Sequence, residues 1–267
     1  MGRHDREHGP NPIKRTCQTL DVSSVHGGFF SLTEITDPTQ HRAYNEWHQL
    51  DHLPEQFPLD GIQHGQRWVL TPQLRASAET LDPPFDRIHY LTMYLMSEPL
   101  ESTFTAFHRL GARLHGEGRW FEPRQSHFAH PMVIERRQAA HRANISAAAV
   151  PFRAHSGIHV IIESHIETTT DLVTSLIATR GVAGAWSFTT NKRFDSLAWE
   201  AGEYRATVAW LDDDIGDCAQ RFRNWTRTHH HDFRSVVFSA TLETITPWRW
   251  NWFDSAAPDV QSTDEVL

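Results

Sequence analysis

The chain has 267 residues, enough for one large domain or two of ordinary size. With 39% hydrophobic and 22% charged residues it can build a core under a polar surface, and no apolar run approaches the roughly 20 residues of a membrane span. A net charge of -8 argues against a dedicated nucleic-acid binder, and two cysteines, Cys17 and Cys218, exclude both a disulfide scaffold and a Cys-based zinc site; what stands out instead is 19 His and 10 Trp.

Residues 1–25 are polar and aperiodic, with Pro10 and Pro12, and are expected to form a disordered leader. The opening Met1-Gly-Arg-His-Asp-Arg-Glu-His has no apolar stretch of the secretory kind, so the expected compartment is the cytoplasm. Phe29 to Ile35 reads as a strand ending at Asp37-Pro38. Thr39 to Leu53 reads as a helix that stops near Pro54, which has no amide to donate. Gly61 to Thr71 is predicted as a strand, followed by a loop with Pro83-Pro84 and a strand from Arg87 to Met96. Helical spacing of Phe104, Phe107, Leu110 and Leu114 places a helix over 100–115, ending at Gly116 and Gly118, and Ser126 to Glu135 is a fourth strand.

The same β-α-β-β-α-β order then recurs: a strand at 157–163, a helix at 170–179, strands at 181–190 and 204–211, a helix at 215–229 with Cys218, Phe222 and Trp225 in one stripe, and a strand at 236–245. Gly61-Ile62 answers to Gly181-Val182, and Tyr94-Leu95 to Trp210-Leu211. The expected domains are 26–136 and 156–254, with an Ala- and Arg-rich linker at 137–155 and a disordered tail at 255–267. One βαββαβ unit covers one face of its sheet with helices and leaves the other bare. The expected fold is therefore α+β: two tandem ferredoxin-like units whose antiparallel sheets face each other as an intrachain barrel, with room for a pocket between them.

The residues Asn45, Trp47, His48, His52, Leu53, Pro54 and Glu55, followed by Gly61, Arg67 and Trp68, resemble the helix-end and strand motif of the EthD-like branch of the dimeric α+β-barrel superfamily. The second half lacks the His-Leu-Pro-Glu signature and offers only Asp171 there, so chemistry is expected in the first half. The superfamily includes lactone isomerases, polyketide cyclases, cofactor-free monooxygenases and haem proteins such as chlorite dismutase-like enzymes. The resemblance thus bears on fold more than on reaction.

Tyr44, His48, Asp51, His52 and Glu55 fall nearly on one stripe of the first helix. His52 is the candidate general base, with Asp51 orienting it and Tyr44 or Tyr94 donating to a developing oxyanion. Helix-end carbonyls and Asp51 would raise the His52 pKa and burial would lower it; the sequence does not decide between them. Alternation would present His64, Gln66 and Trp68 on one strand face, and Tyr90, Thr92 and Tyr94 on another. His48, His64, Trp68, Tyr90 and Tyr94 are the candidate substrate-binding residues. The competing reading of His52 is a cap on a helix end.

His48 and His52 have the i, i+4 spacing of two zinc ligands, but Gln49 stands where the protease motif has Glu, and spacing offers no third ligand; no metal is expected. His229-His230-His231-Asp232 reads as a solvated helix end, and Trp248 to Trp252 as packing along a strand. The function expected is acid/base catalysis without a cofactor, of isomerase, cyclase or lyase type, on a small apolar or aromatic carbonyl compound. The alternatives are a cofactor-free or haem-dependent oxygenase and a non-catalytic ligand-binding protein. The expected partners are a small-molecule substrate and a second copy of the chain, without nucleic acid or membrane.

Overall fold

The computed structural model describes residues 24–164, 171–198, 202–229 and 235–254. Residues 1–23 of the expected leader, the expected tail and His230 to Asp232 lie outside the described residues. The elements are β1 (Val25–Ile35), α1 (His41–Trp47), β2 (Ile62–Val69), a short α2 (Pro72–Arg75), β3 (Thr80–Leu81), β4 (Tyr90–Ser97), α3 (Leu100–Gly116), β5 (Arg124–Ala139), β6 (Gly157–Ser164), α4 (Leu172–Ala178), β7 (Val182–Thr190), β8 (Tyr204–Leu211), α5 (Ile215–His229) and β9 (Val236–Thr244). Strands and helices fall where the patterning placed them. The exceptions are α2 and β3, two short elements inside the segment read as a loop, and residues 248–252, read as lying along a strand.

Eight strands hydrogen-bond in the order β2-β4-β1-β5-β7-β8-β6-β9, and pairing of Trp68 with Thr244 and Val69 with Glu243 closes them into an antiparallel barrel. The long β5 joins the two sheets: Arg124 to Val133 pairs with β1, and Met132 to Ala139 pairs with β7. Its end therefore runs into the segment read as linker. The order β2-β4-β1-β5 is repeated as β7-β8-β6-β9.

All eight strands send alternate residues into one apolar cluster. An eight-stranded barrel encloses a space that side chains just fill, and here Trp68, Trp186, Trp210, Phe30, Phe188 and Phe238 fill it. This corrects the expectation of a pocket between the sheets.

The register also corrects one of the two expected correspondences. Gly61 and Gly181 do match: each precedes its strand with a left-handed backbone, φ +91 and +86, which favours a residue without Cβ. Ile62 pairs with Met96 as Val182 pairs with Leu211, and one step on His64 pairs with Leu95 as Gly184 pairs with Trp210. Trp210 thus answers to Leu95 inside the barrel, and Tyr94 answers to Ala209 outside it. A one-residue slip moves a side chain to the opposite face.

The helices cover the outer faces. Beneath α4 and α5 the contact is mostly apolar, with Leu172, Val173, Leu176, Cys218 and Phe222 on Ile161, Ala185 and Ala209, and the buried His159 ring stacks on Phe222. Beneath α1 the inward residues are His41, Tyr44, Asn45 and, just beyond the helix, His48. The chain end returns to this half: Ile245 and Trp250 pack with Ile35, Tyr44, Val69 and Tyr90, flanked by Trp252 and Phe253. The Trp248–Trp252 run is not a strand, and Trp248 is 73% exposed. Among the described residues no helix is long and apolar enough to cross a membrane.

Candidate functional site

The helical stretch opens as a 3-10 turn (Pro38–Gln40), continues as α1 and ends as a π-helical turn from His48 to His52. The Leu53 amide donates to the His48 carbonyl at 2.8 Å, the five-residue reach of that turn, and Pro54 has no amide with which to continue. Such turns are rare and recur at functional sites. This one keeps both imidazoles against the sheet, their ring centres 5.1 Å apart, with the His52 ring stacked 4.6 Å from Trp47.

The outer face of the sheet supplies the floor. Tyr90, Thr92 and Tyr94 alternate along β4, opposite Val69, Arg67 and Gly65 of β2. A Cβ at position 65 would lie 3.0 Å from the Tyr94 ring, so the glycine lets that ring lie across its strand. Thr92 Oγ1 is 3.5 Å from His48 Nε2. Arg124, the first residue of β5, lies over Trp120 at 4.1 Å and Trp47 at 5.6 Å.

Arg67 is 2% exposed. One of its Nη atoms donates to Asn45 Oδ1 at 2.9 Å, and its guanidinium lies over Tyr44 at 5.1 Å and Tyr90 at 5.7 Å. Asn45 Nδ2 in turn donates to the Tyr90 hydroxyl at 2.9 Å, which also meets His41 Nδ1. Among the described residues no carboxylate pairs with Arg67 or Arg124. Six buried polar atoms of this cluster have no hydrogen-bond partner: Nδ1 of His48, Nδ1 of His52, Nε and Nη1 of Arg67, Nε of Arg124 and the Tyr94 hydroxyl. An unsatisfied buried polar atom costs about 1–3 kcal/mol, so six in one place need an explanation.

Burial pushes the His52 imidazole down to about 3, and Arg124 adds to the effect more than Asp51 opposes it. The question left open by the sequence is thereby answered: desolvation wins. Burial likewise holds His48 well below the ordinary histidine range, with Arg67 next in effect. Both rings are neutral near pH 7 and their bare nitrogens can accept a proton or a metal. Tyr94 and Tyr90 are pushed up by burial and stay protonated as donors.

The structure brings His52, His48, Tyr44, Tyr90 and Tyr94 together. Three other expectations are corrected. Asp51 does not orient His52: its carboxylate and that of Glu55 hold the Arg119 guanidinium, with Glu55 at 2.7 Å. His64 and Trp68 do share a face, but it is the barrel side, away from His52. There His64 bonds Gln66 and approaches Phe152, and Trp68 Nε1 donates to His155 Nε2 at 3.2 Å. Sequence reasoning missed Asn45, Arg67, Trp120 and Arg124 as site residues. Asn45 and Arg67 carried a signal, since both lie in the motif. Arg124 carried none.

No known family matches the sequence, and no curated protein does. Among solved structures the chain is similar to an anthrone oxidase-like protein, at 10% identity over 83% of this chain and 92% of that one, with a TM-score of 0.47. It is similar to a chlorite dismutase-like protein at 7% identity, over 84% and 96%, with a TM-score of 0.43. A haem-binding protein from Thermus thermophilus follows at 9% identity, over 83% and 92%, with a TM-score of 0.37. The likeness is one of general fold. One of these structures is named a chlorite dismutase and another a haem-binding protein, and the expectation of a site without a cofactor is withdrawn.

Proposed function

We propose that the chain is a small-molecule enzyme of the dimeric α+β-barrel type, built as tandem ferredoxin-like halves of the EthD-like branch, with its site under α1. The repeated strand order supports the tandem reading, and the helix-end motif supports the branch. The convergence of six unpartnered buried polar atoms from the π turn after α1 and three strands carries the functional reading. His52 and His48 are the proton acceptors, and Tyr94 is the neutral donor to an oxygen of the substrate. Trp47, Trp120 and Phe121 form an aromatic corner, with Trp120 at 70° and Phe121 at 31° to the Trp47 ring, suited to an apolar or aromatic compound. The reactions such a site serves are proton transfers at carbonyl or phenolic substrates, the core of isomerase, cyclase, lyase and some oxygenase chemistry.

The donor set also fits haem. A buried neutral imidazole nitrogen without a partner is what haem iron takes as its axial ligand, and two unpaired guanidiniums match the two carboxylates of the group. His48 or His52 would hold the iron, and Arg67 and Arg124 the carboxylates. Bound there, haem would supply redox and oxygen chemistry that side chains lack.

Two measurements test these readings. In D2O, a panel of enolisable ketones and phenols is followed for deuterium uptake at carbon. His52→Ala should slow the exchange by about 10²–10⁴-fold while the protein stays folded. Folded His52→Ala and His48→Ala variants that exchange at the wild-type rate would retire the histidines as acceptors. Haemin titration tests the cofactor: a saturable Soret shift lost in one of these variants supports it, and a shift kept in both removes the histidines as ligands.

A further inference from the structure

We infer that the site binds its ligand as an oxyanion: the conjugate base of a weak oxygen acid, a phenolate or an enolate, held between Arg67 and Arg124. This rests on the reading of the site as a small-molecule pocket and names the substrate class.

Charge is the first observation. A buried guanidinium is costly unless a negative charge or a full set of acceptors meets it. Arg67 is buried with two donors unused, and Arg124 has a third. Neither forms an ion pair with any described residue. The acids nearby are committed elsewhere or stand off: Asp51 and Glu55 hold Arg119, and Glu122 acts on Arg124 only at a distance. The same fold shows the other solution in its second half. There Arg205 meets Glu135 at 2.9 Å and Glu163 at 3.6 Å, and Glu163 is 1% exposed. The chain neutralises the partly buried Arg205 guanidinium with two of its own carboxylates, and leaves Arg67 and Arg124 to a negative charge from outside.

Proton chemistry narrows the anion. A carboxylic acid arrives already ionised and needs no base. A phenol or an enolisable ketone does need one, and two neutral imidazoles with bare Nδ1 atoms stand in the same cluster. The step balances within the site. The O–H bond, or the C–H bond beside a carbonyl, breaks; its electron pair ends on the substrate oxygen facing the guanidiniums; the proton goes to Nδ1 of His52 or His48. The titratable groups facing the ligand are Arg67, Arg124, His48, His52, Tyr44, Tyr90 and Tyr94, and none of them is a carboxyl group.

The test uses 4-nitrophenol, whose anion is yellow, and its methyl ether 4-nitroanisole, which has the same shape and no proton to lose. Binding of each is followed by fluorescence of the site tryptophans. The ionisation of bound 4-nitrophenol is read from its absorbance below its solution pKa. The wild-type protein should bind nitrophenol in the yellow form and prefer it to nitroanisole by roughly 30-fold or more. Arg67→Met and Arg124→Met should erase the preference and the colour while nitroanisole binding persists. Arg67→Met should also keep or raise the thermal midpoint, because it removes an unpaired buried charge. Equal binding of the two probes, or colourless bound nitrophenol, overturns the inference and leaves the pocket reading standing. Binding of neither overturns both. A fall in midpoint for Arg67→Met, with the preference retained in Arg124→Met, makes the arginines structural and overturns it as well.

Discussion

The outer faces of the two sheets occupy equivalent places and are finished differently. Cross-strand pairing aligns Tyr90, Thr92 and Tyr94 of β4 with Arg205, Thr207 and Ala209 of β8, and Arg67 of β2 with Ser187 of β7. In the second half the two large residues facing α4 shrink to Ser187 and Ala209. The helix above then sits on an apolar floor, and the one large cation at the edge is paired twice. In the first half the floor carries Arg67, Tyr90 and Tyr94, the helix above carries Asn45 and His48, and the cation is unpaired. The same backbone thus supports mostly apolar packing in one half, with single unpartnered atoms at His159 and Thr207, and a cluster of six unpartnered atoms in the other. The difference shows where the chain tolerates instability, and that is where function is sought.

The largest expected effect breaks the paired cation of the second half. Arg205→Ala removes an ion-pair partner of the buried Glu163 carboxylate and should cost about 3 kcal/mol in urea unfolding, against little or nothing for Arg67→Met. Equal losses for the two would erase the distinction between a structural and a ligand-directed arginine.

Acid should act next, and mostly on the first half. His41 is held down to about 4 and His52 and His89 to about 3, all chiefly by burial; His159 in the second half is held to about 3. The unfolded chain takes protons on these residues near the ordinary pKa of ~6.5, before the folded chain does. Stability from these groups is full above that pH and is lost progressively as pH falls through 4 to about 3. Thermal midpoints recorded from pH 7 to 4 should fall, and His52→Gln should make the decline shallower. A flat profile would mean that the rings meet solvent.

Alkali should act on one group and therefore less. Glu79, in the loop between α2 and β3, accepts from Ser239 Oγ at 3.2 Å and is pushed up to about 8, mainly by burial. A carboxyl raised in the folded state contributes stability that is full below its unfolded pKa and is lost as pH rises through about 8. Glu79→Gln should flatten the fall in thermal midpoints recorded between pH 7 and about 8, and should make the decline from pH 7 to about 4.5 steeper, because its window overlaps that of the histidines.

The smallest effect is expected at the surface beside the site. Arg119→Ala removes the ion pairs with Asp51 and Glu55, which lie in partly exposed surroundings, and should move the thermal midpoint little. The remaining change should vanish in high salt. A large drop would show that the Arg119 contact holds the π turn in place.

Much of the architecture was legible because it rests on local periods. Alternation marked the strands, helical spacing marked α3 and α5, and Pro54 marked the end of the first helical stretch. Within the site, His48, His52, Tyr90 and Tyr94 were legible for the same reason: their spacing puts them on one face. The π turn was not, since one widened turn leaves no mark in the pattern. Asp51 was misplaced because its neighbour Arg119 comes from 68 positions further along the chain. His64 and Trp68 were misplaced because alternation shows which residues share a face and does not say which face looks inward.

The sequence by itself determined the order of strands and helices, the repeat of that order, and the half of the molecule that carries the histidine motif. These follow from side-chain periodicity and backbone chemistry over a few residues. Only the tertiary structure decided that the barrel interior is filled, that the site lies outside it under α1, and that Arg67 and Arg124 meet no carboxylate. Those facts depend on register and on which distant segments come to lie beside a charge. Compensation of a buried charge is a property of the assembled neighbourhood, which no local stretch of sequence contains.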